Sequence, residues 1–440
     1  MSLIAHSEQI TAADDKNVHG LATFFTRPVL AGLAGNVMEW YDFMVYGYFA
    51  STIGALFFPA RDPLASMIAA YGVLAVSFVM RPFGAVWFGH IGDKLGRKRA
   101  LELSVTLMAI PTFLLGLLPS YETIGVAAPI LLTILRLMQG LSVGGEYTSS
   151  FSFVIEHAPR TRRGLHGALT TCGAILGILL ASLAAVITSK ISEDPAAASW
   201  AWRVPFLLGV LVAGVGLWVR RSLHETPSFE KLKAEGGIAD SPLREAWRNE
   251  KMRITRVFLL YALGSAIFYI LFLFVQAALS QAGMPKHLAQ LATTCSLGVL
   301  VFALPTAAYV SDRIGRRPVM LTGALCTLIF ILPLYQSLKS LDFTTVVLVQ
   351  IGMTLISAMI MGPVPAAITE MFPARTRFSS LSIGYNASLA AFGGTAPMVA
   401  GLLMQKTGSV DSPAYYLMAL SLVSGAVVFF SKETYRDAID

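Results

Sequence analysis

Apolar residues along this chain come in long, nearly unbroken runs separated by short polar and basic stretches. Twelve such runs can be marked, at approximately 28–58, 64–91, 99–119, 126–156, 163–190, 200–221, 254–282, 287–311, 317–338, 342–371, 377–405 and 412–431. A helix of roughly 20 apolar residues crosses about 30 Å of hydrocarbon, so each run can span a bilayer. The longer ones must tilt or extend beyond the lipid. The short alternating segments of a membrane barrel are missing. The pattern predicts an all-α membrane protein with twelve transmembrane helices.

Composition sharpens that picture. Hydrophobic residues make up 55% of the chain and charged residues 13%, against about 25% charged in globular proteins. A set of soluble domains is thereby excluded. The net charge of +7 would raise nucleic acid as a partner if the charges were clustered on one folded surface. Instead about 25 of the 33 Lys and Arg fall in the loops on one side once both termini are placed there. Only Arg61, Lys190, Arg203, Lys286, Lys339 and Lys406 fall on the other side, and Arg81 and Arg136 lie within runs. Basic loops stay cytoplasmic, so the expectation is a plasma (inner) membrane protein with both termini cytoplasmic, a lipid partner and no nucleic acid. Cys172, Cys295 and Cys326 have no paired spacing, and the seven histidines no ligand spacing, so neither a disulfide framework nor a metal site is expected. Residues 1–27 lack a basic leader and cleavage site and read as a loose tail.

The longest polar interruption, 222–253, splits the runs six and six, giving bundles over 28–221 and 254–431 with a short tail at 432–440. Both halves carry the same marks. "GHIGDKLGRKR" (89–99) follows the second run and "AYVSDRIGRRP" (308–318) the eighth; "IEHAPRTRRG" (155–164) follows the fourth and "ITEMFPARTRF" (368–378) the tenth. Signatures repeated at nearly one offset indicate duplicated halves, a mark of transporters with a central pathway.

At these residues the chain resembles the major facilitator superfamily over essentially its whole length, which implies two pseudo-symmetric six-helix bundles. The second copy of the signature keeps Asp312, Arg313, Gly315 and Arg316 but has Ala308 where the leading glycine would be. The finer resemblance, through "GNVMEWYDF", "MRPFGAVWFGHIGD", "RLMQGLSVGGEY" and "WRVPF", is to the metabolite:proton symporters. Their members carry 2-oxoglutarate, citrate, shikimate, or proline and betaine. The resemblance implies proton-driven uptake by a monomer and selects no substrate. It also implies that Gly89, Asp93, Gly96 and Arg97, with Asp312, Arg313, Gly315 and Arg316, latch an inner gate. Glu156 and Glu370, at helix ends beside arginines, read as gate or loop salt bridges.

Ionisable groups inside spans cost at least about 2.5–3.5 kcal/mol and are functional by default. Glu39 and Asp42 sit some 11–14 residues into the first run, about 16–21 Å deep at 1.5 Å per residue. With Tyr46 they share one face of a helical wheel, which should line the pathway. Two neighbouring carboxylates cannot both ionise cheaply, so one of Glu39 or Asp42 is the expected proton carrier, with Glu146 as a further candidate. Arg81 and Arg136 lie at similar depth and suit a carboxylate through their planar forks. A plain ion pair of Glu39 or Asp42 with Arg81 is the competing reading, and close packing by Gly140, Gly144 and Gly145 competes for Glu146. In the second half the polar candidates are Tyr261, Tyr269, Gln276, Tyr385 and Asn386, with Tyr269 and Gln276 sharing a face, set against ordinary interhelical bonding. "GAILG" (173–177) has the spacing of close helix packing.

The leading expectation is a secondary importer of a small mono-, di- or tricarboxylate by proton symport through alternating access. The alternative is a proline or betaine symporter, which aromatic residues placed for a quaternary ammonium would favour. A multidrug antiporter stands further off, since 164–190 has no proline where exporting relatives carry a Gly-Pro motif. No nucleophile–base set, metal motif or phosphate loop marks an enzyme, and no cofactor is expected beyond the ion gradient. Sodium coupling remains the variant to be separated from proton coupling.

Overall fold

The computed structural model describes residues 27–84, 86–88, 97–144, 146–210, 214 and 248–437, which are mainly helical, joined by short loops, with no strand among them. In the first half α1 runs Arg27–Tyr48 and continues as Ala50–Phe57; α2 is Pro63–Phe88; α3 is Arg97–Leu117; α4 is Ala127–Ser142, resuming as Glu146–His157; α5 is Arg163–Ile191; and α6 is described over Ala201–Val210. In the second half α7 is Lys251–Gln281, α8 Lys286–Ile314 and α9 Arg316–Ser337. Then α10 runs Phe343–Met361 and Val364–Thr369, α11 runs Ala374–Ser388, Leu389–Gly394 and Ala396–Thr407, and α12 is Ser412–Phe430. Eight of these are long and apolar enough to cross a membrane by length and composition. The others, α1, α3, α4 and α6, are helical over shorter or more polar stretches. Gly89, Asp93 and Gly96 of the first signature loop lie outside the described residues, as do 1–26, most of the 222–253 linker and 438–440.

Helix ends follow local chemistry. Asp62 starts α2 by accepting the Leu64 N–H at 2.9 Å, with Pro63 in the first turn. Asp342 starts α10 by accepting the Thr345 N–H at 2.8 Å, and this bond with that of the Thr345 hydroxyl holds its carboxyl below the usual range. Gly315, at φ 109°, makes the sharp break between α8 and α9, a conformation that glycine alone adopts freely. Outer faces are apolar, with Phe302 76% and Phe430 81% exposed, as lipid contact requires.

Lipid provides no hydrophobic drive between helices, so packing depends on close approach through small residues. A methyl group at Gly177 of "GAILG" would come within 2.1 Å of the Val37 carbonyl oxygen, where α5 lies along α1. One at Gly140 would come within 1.9 Å of the Ser77 carbonyl oxygen, where α4 crosses α2. The two halves meet along α5 with α8 and α2 with α11. Gly140→Ala is therefore expected to destabilise by about 1–3 kcal/mol, since backbone rather than side chain must move. Gly298→Ala, whose added methyl has nothing within 4 Å, should leave the melting temperature in detergent unchanged or raised. Equal melting of the two variants would contradict the packing account.

Candidate functional site

Glu39 and Asp42 are 2% and 1% exposed near the middle of α1, and the 60° between them on the helix sends them to different places. Asp42 turns into its own half. Its Oδ2 accepts the Thr112 hydroxyl of α3 at 3.2 Å, and its Oδ1 lies against α6, where a methyl on Gly209 would come within 2.8 Å. Gln139 of α4 donates to Thr112 Oγ1 at 2.6 Å, and Arg136 donates to Gln139 Oε1 at 2.8 Å. Asp42 thus meets Thr112 instead of pairing with Arg81. Glu39 faces the boundary between halves, with Tyr147 and Tyr269 as electrostatic neighbours.

Arg81 occupies that boundary. Its guanidinium sits 4.4 Å from the ring centres of Phe43 and Phe78 and 5.7 Å from that of Trp40. Arg136 sits 4.6 Å from the same Phe43 ring and 4.2 Å from Tyr46, so Phe43 contacts both cations. The second half closes the aromatic wall: Phe268 meets Trp40 edge-on at 6.4 Å, and Tyr269 meets Phe78 at 5.2 Å. Tyr269 precedes a wide π-helical turn, Ile270–Phe274, and α11 has another at Leu389–Gly394. Such turns gather at functional sites. Here Gly394 admits the Phe78 ring, which a methyl would meet at 2.4 Å.

Within this cluster the Arg81 Nε and Nη2, the Trp40 Nε1 and the Tyr269 hydroxyl have no hydrogen-bond partner. Buried donors without acceptors are rare. Together they can receive an anionic group, while the surrounding ring faces can hold a cation. Toward the end carrying the basic loops, called inner below, Tyr261 stacks on Tyr385 at 4.5 Å with their hydroxyls 3.0 Å apart. The cavity between Tyr147, Phe151, Thr171, Tyr261 and Tyr385 measures about 10 Å³, room for about one water.

Other sequence candidates are placed differently. The Tyr46 hydroxyl donates to the Ala70 carbonyl at 3.0 Å, so it ties α1 to α2 while its ring faces Arg136. Asn386 donates across the boundary to the Gly144 carbonyl at 3.0 Å and to Ser382 on its own helix. Gln276 is buried on α7. Glu146 opens the second piece of α4 and Glu156 lies near its end, with side chains outside those described; so is the side chain of Arg97 at the start of α3.

The inner seal gathers several expected gate residues. Asp312 accepts the Gly164 and Leu165 N–H groups at 2.8 and 2.9 Å, capping α5 of the other half. Arg316 pairs with Asp312 at 2.6 Å and Glu370 at 3.1 Å, all three side chains no more than 2% exposed. Glu433 accepts the Arg316 and Arg317 N–H groups at 3.0 and 2.9 Å, and Thr434 donates to Glu370 at 2.8 Å. Arg313 folds back on Tyr309 of its own helix. At the outer end the halves meet through Ser182 with Thr294 at 2.6 Å, Ser189 with Gln290, and Lys286 with Thr52 at 2.6 Å. Glu193 also pairs there with His287.

The sequence signalled Arg81 and Arg136 as charges within apolar runs. It gave no sign of Thr112, which follows Pro111 on an apolar helix, nor that Phe268 of one half would face Trp40 of the other.

Residues 29–253 match the family profile described as sugar (and other) transporter, and 257–438 that of the major facilitator superfamily. A glycine betaine/proline/ectoine/pipecolic acid transporter of Dickeya dadantii is 33% identical over 97% of this chain and 86% of its own length. The proline/betaine transporter of Escherichia coli is 34% identical over 93% and 83%, and a putative one of Staphylococcus aureus 34% over 92% and 87%. Among solved structures, that of a D-xylose-proton symporter superposes with a TM-score of 0.75 at 17% identity, covering 94% of this chain and 99% of that one.

Arg316→Ala would leave two buried carboxylates without their cation, a change that costs about 3–5 kcal/mol. The expected result is an inner seal that opens more readily. Cys172 on α5, now 7% exposed, should alkylate faster in a protein whose Cys295 and Cys326 are serine. Unchanged alkylation with unchanged melting would remove the seal from this cluster.

Proposed function

The chain belongs to the major facilitator superfamily of membrane transporters, and on that premise we propose that it imports a compatible-solute zwitterion of the proline or betaine kind together with a proton. Its setting is the bacterial inner membrane, with both termini cytoplasmic as the basic loops indicate. The single observation that carries the reading is the Arg81 cluster: unpaired guanidinium N–H groups beside an aromatic wall drawn from both halves. A zwitterion offers its carboxylate to Arg81 and its ammonium to Trp40, Phe268 and the Tyr269 side, with Glu39 alongside. The named substrates of the relatives support the same class.

Charge balance also counts against di- and tricarboxylates. Among the described residues, Glu39, Asp42, Arg81 and Arg136 are the ionisable groups of the Lys, Arg, Asp and Glu types buried in the pathway core; they sum to zero with both carboxylates ionised and to +1 with a proton on Asp42. Arg136 already donates to Gln139 and, at 3.5 Å, to Ser77, so Arg81, with its Nε and Nη2 unpaired, is the guanidinium better placed for a carboxylate. A di- or tricarboxylate would add charge that no described group neutralises, at several kcal/mol per buried ion.

Asp42 is the proton site in this reading and Glu39 a substrate contact. Asp42 is withdrawn from the boundary between halves, and each ligand favours binding of the other through their shared electrostatics. Alternating access then follows from opening the two seals in turn. The energy comes from the ion gradient, with no cofactor.

Purified protein in liposomes with an inward proton gradient should accumulate labelled proline or glycine betaine and leave 2-oxoglutarate and citrate outside. Acid uptake without zwitterion uptake would reverse the assignment, and indifference to pH at fixed sodium would remove proton coupling. Arg81→Ala should weaken apparent affinity about 10- to 100-fold, the worth of a charge-assisted hydrogen bond of about 1.5–3 kcal/mol. Trp40→Leu should cost betaine more than proline, by about 2- to 30-fold, because a trimethylated head cannot hydrogen-bond and depends on the rings. Equal losses for both solutes would place the ammonium elsewhere.

A further inference from the structure

We propose that Thr112 is a two-position switch that reports protonation of Asp42 to Arg136, and through Phe43 to Arg81. This rests on Asp42 being the proton site, and it assigns a role to two residues, Thr112 and Gln139, that touch no substrate.

The argument begins with a count of protons. The Thr112 hydroxyl has one hydrogen and two acceptors within reach, Asp42 Oδ2 at 3.2 Å and the Met108 carbonyl at 3.0 Å. Gln139 Nε2 already donates to the same oxygen at 2.6 Å, and Arg136 donates to Gln139 Oε1 at 2.8 Å. With Asp42 ionised, the hydroxyl hydrogen points to the carboxylate. Arg136, Gln139, Thr112 and Asp42 then form a chain in which every donor faces the same way, from cation to anion. Aligned hydrogen bonds in a low-dielectric interior polarise one another.

With Asp42 protonated, its own O–H becomes the donor, and Thr112 Oγ1 is the acceptor in place. A threonine oxygen can accept two hydrogens and give one, so it receives from Asp42 and Gln139 and turns its hydrogen to the Met108 carbonyl. No group loses a partner. What disappears is the anion at the far end of the chain from Arg136.

The groups facing Asp42 limit other routes. Across α3 stands Thr112; across α6 stands Gly209, which has no side chain; from α4 the cation is Arg136, reached through Gln139; and on α1 itself Tyr41 and Tyr46 are committed to the Pro205 and Ala70 carbonyls. Arg136 and Arg81 lie 4.6 and 4.4 Å from the centre of the same Phe43 ring. With that anion gone, the repulsion between Arg136 and Arg81 stands uncompensated, and a solute carboxylate on Arg81 relieves it. Proton and solute therefore favour each other's binding.

The test compares Thr112→Val, Thr112→Ser, Gln139→Met and Asp42→Asn in proteoliposomes, using labelled proline. It reads the ratio of gradient-driven uptake to proline exchange at equal pH on both sides. Expected is a fall in this ratio of tenfold or more for Thr112→Val, restored by Thr112→Ser, and a matching fall for Gln139→Met, which breaks the chain at its other link. Should Thr112→Val fail to fold, Gln139→Met decides. A wild-type ratio in Thr112→Val or Gln139→Met, with a collapsed ratio in Asp42→Asn, overturns the switch and leaves the proton site standing. A wild-type ratio in Asp42→Asn overturns the proton site itself.

Discussion

Everything central in this molecule depends on holding ionised groups in a medium that opposes them. Each of Glu39, Asp42, Arg81 and Arg136 would cost at least a few kcal/mol if inserted singly. None of the four is more than 2% exposed, and with both carboxylates ionised they carry no net charge. That balance involves no direct ion pairing of Asp42. An amide and a hydroxyl stand between it and Arg136, and aromatic faces stand beside both guanidiniums. Direct pairing would have been the tighter arrangement and the less useful one, because a carboxylate locked to an arginine does not readily take a proton. Distance keeps the charges correlated while leaving each free to change partner.

The packing is arranged to let that change matter. Within the first half, α2 meets α4 and α1 meets α5 by backbone contact at Gly140 and Gly177, so Asp42 sits in a body with little room to deform. Between the halves the backbones also approach at Gly164 and Ala308, while around the Arg81 cluster and at the outer end the contacts are made by side chains: Phe268 on Trp40, Asn386 on the Gly144 carbonyl, Ser182 on Thr294. Such contacts can be exchanged without unfolding a helix. The Arg81 cluster straddles this boundary, and the Arg136–Gln139–Thr112–Asp42 chain lies within the first half.

How far this could be read from the sequence depends on the physical origin of each feature. Spans follow from hydropathy, and the helices found at Arg163–Ile191 and Ser412–Phe430 lie within a residue of the runs at 163–190 and 412–431. Arg81 and Arg136 stood out because charge within an apolar run is expensive anywhere. The Asp312, Arg316 and Glu370 cluster was foreshadowed by the repeated signature. A wheel grouped Glu39, Asp42 and Tyr46 on one face, yet 60° sufficed to separate a carboxylate facing α3 from one facing the other half. Thr112, Gln139 and the aromatic wall depend on which helices become neighbours. That is a property of tertiary packing and leaves no periodicity in any one helix.

The two seals differ in kind, and the difference sets a direction. The outer contacts are largely hydroxyl and amide hydrogen bonds, each worth about 0.5–1.5 kcal/mol net, with the Glu193–His287 pair near the surface adding little. At the inner end the ion pairs of Arg316 with Asp312 and Glu370 lie within the second half, and Asp312 crosses the boundary by accepting the Gly164 and Leu165 N–H groups, charge-assisted bonds of about 1.5–3 kcal/mol each. On these strengths the outer contacts are the weaker set. That order suits the import proposed above, in which parting at the inner end draws on the added energy of solute and proton binding.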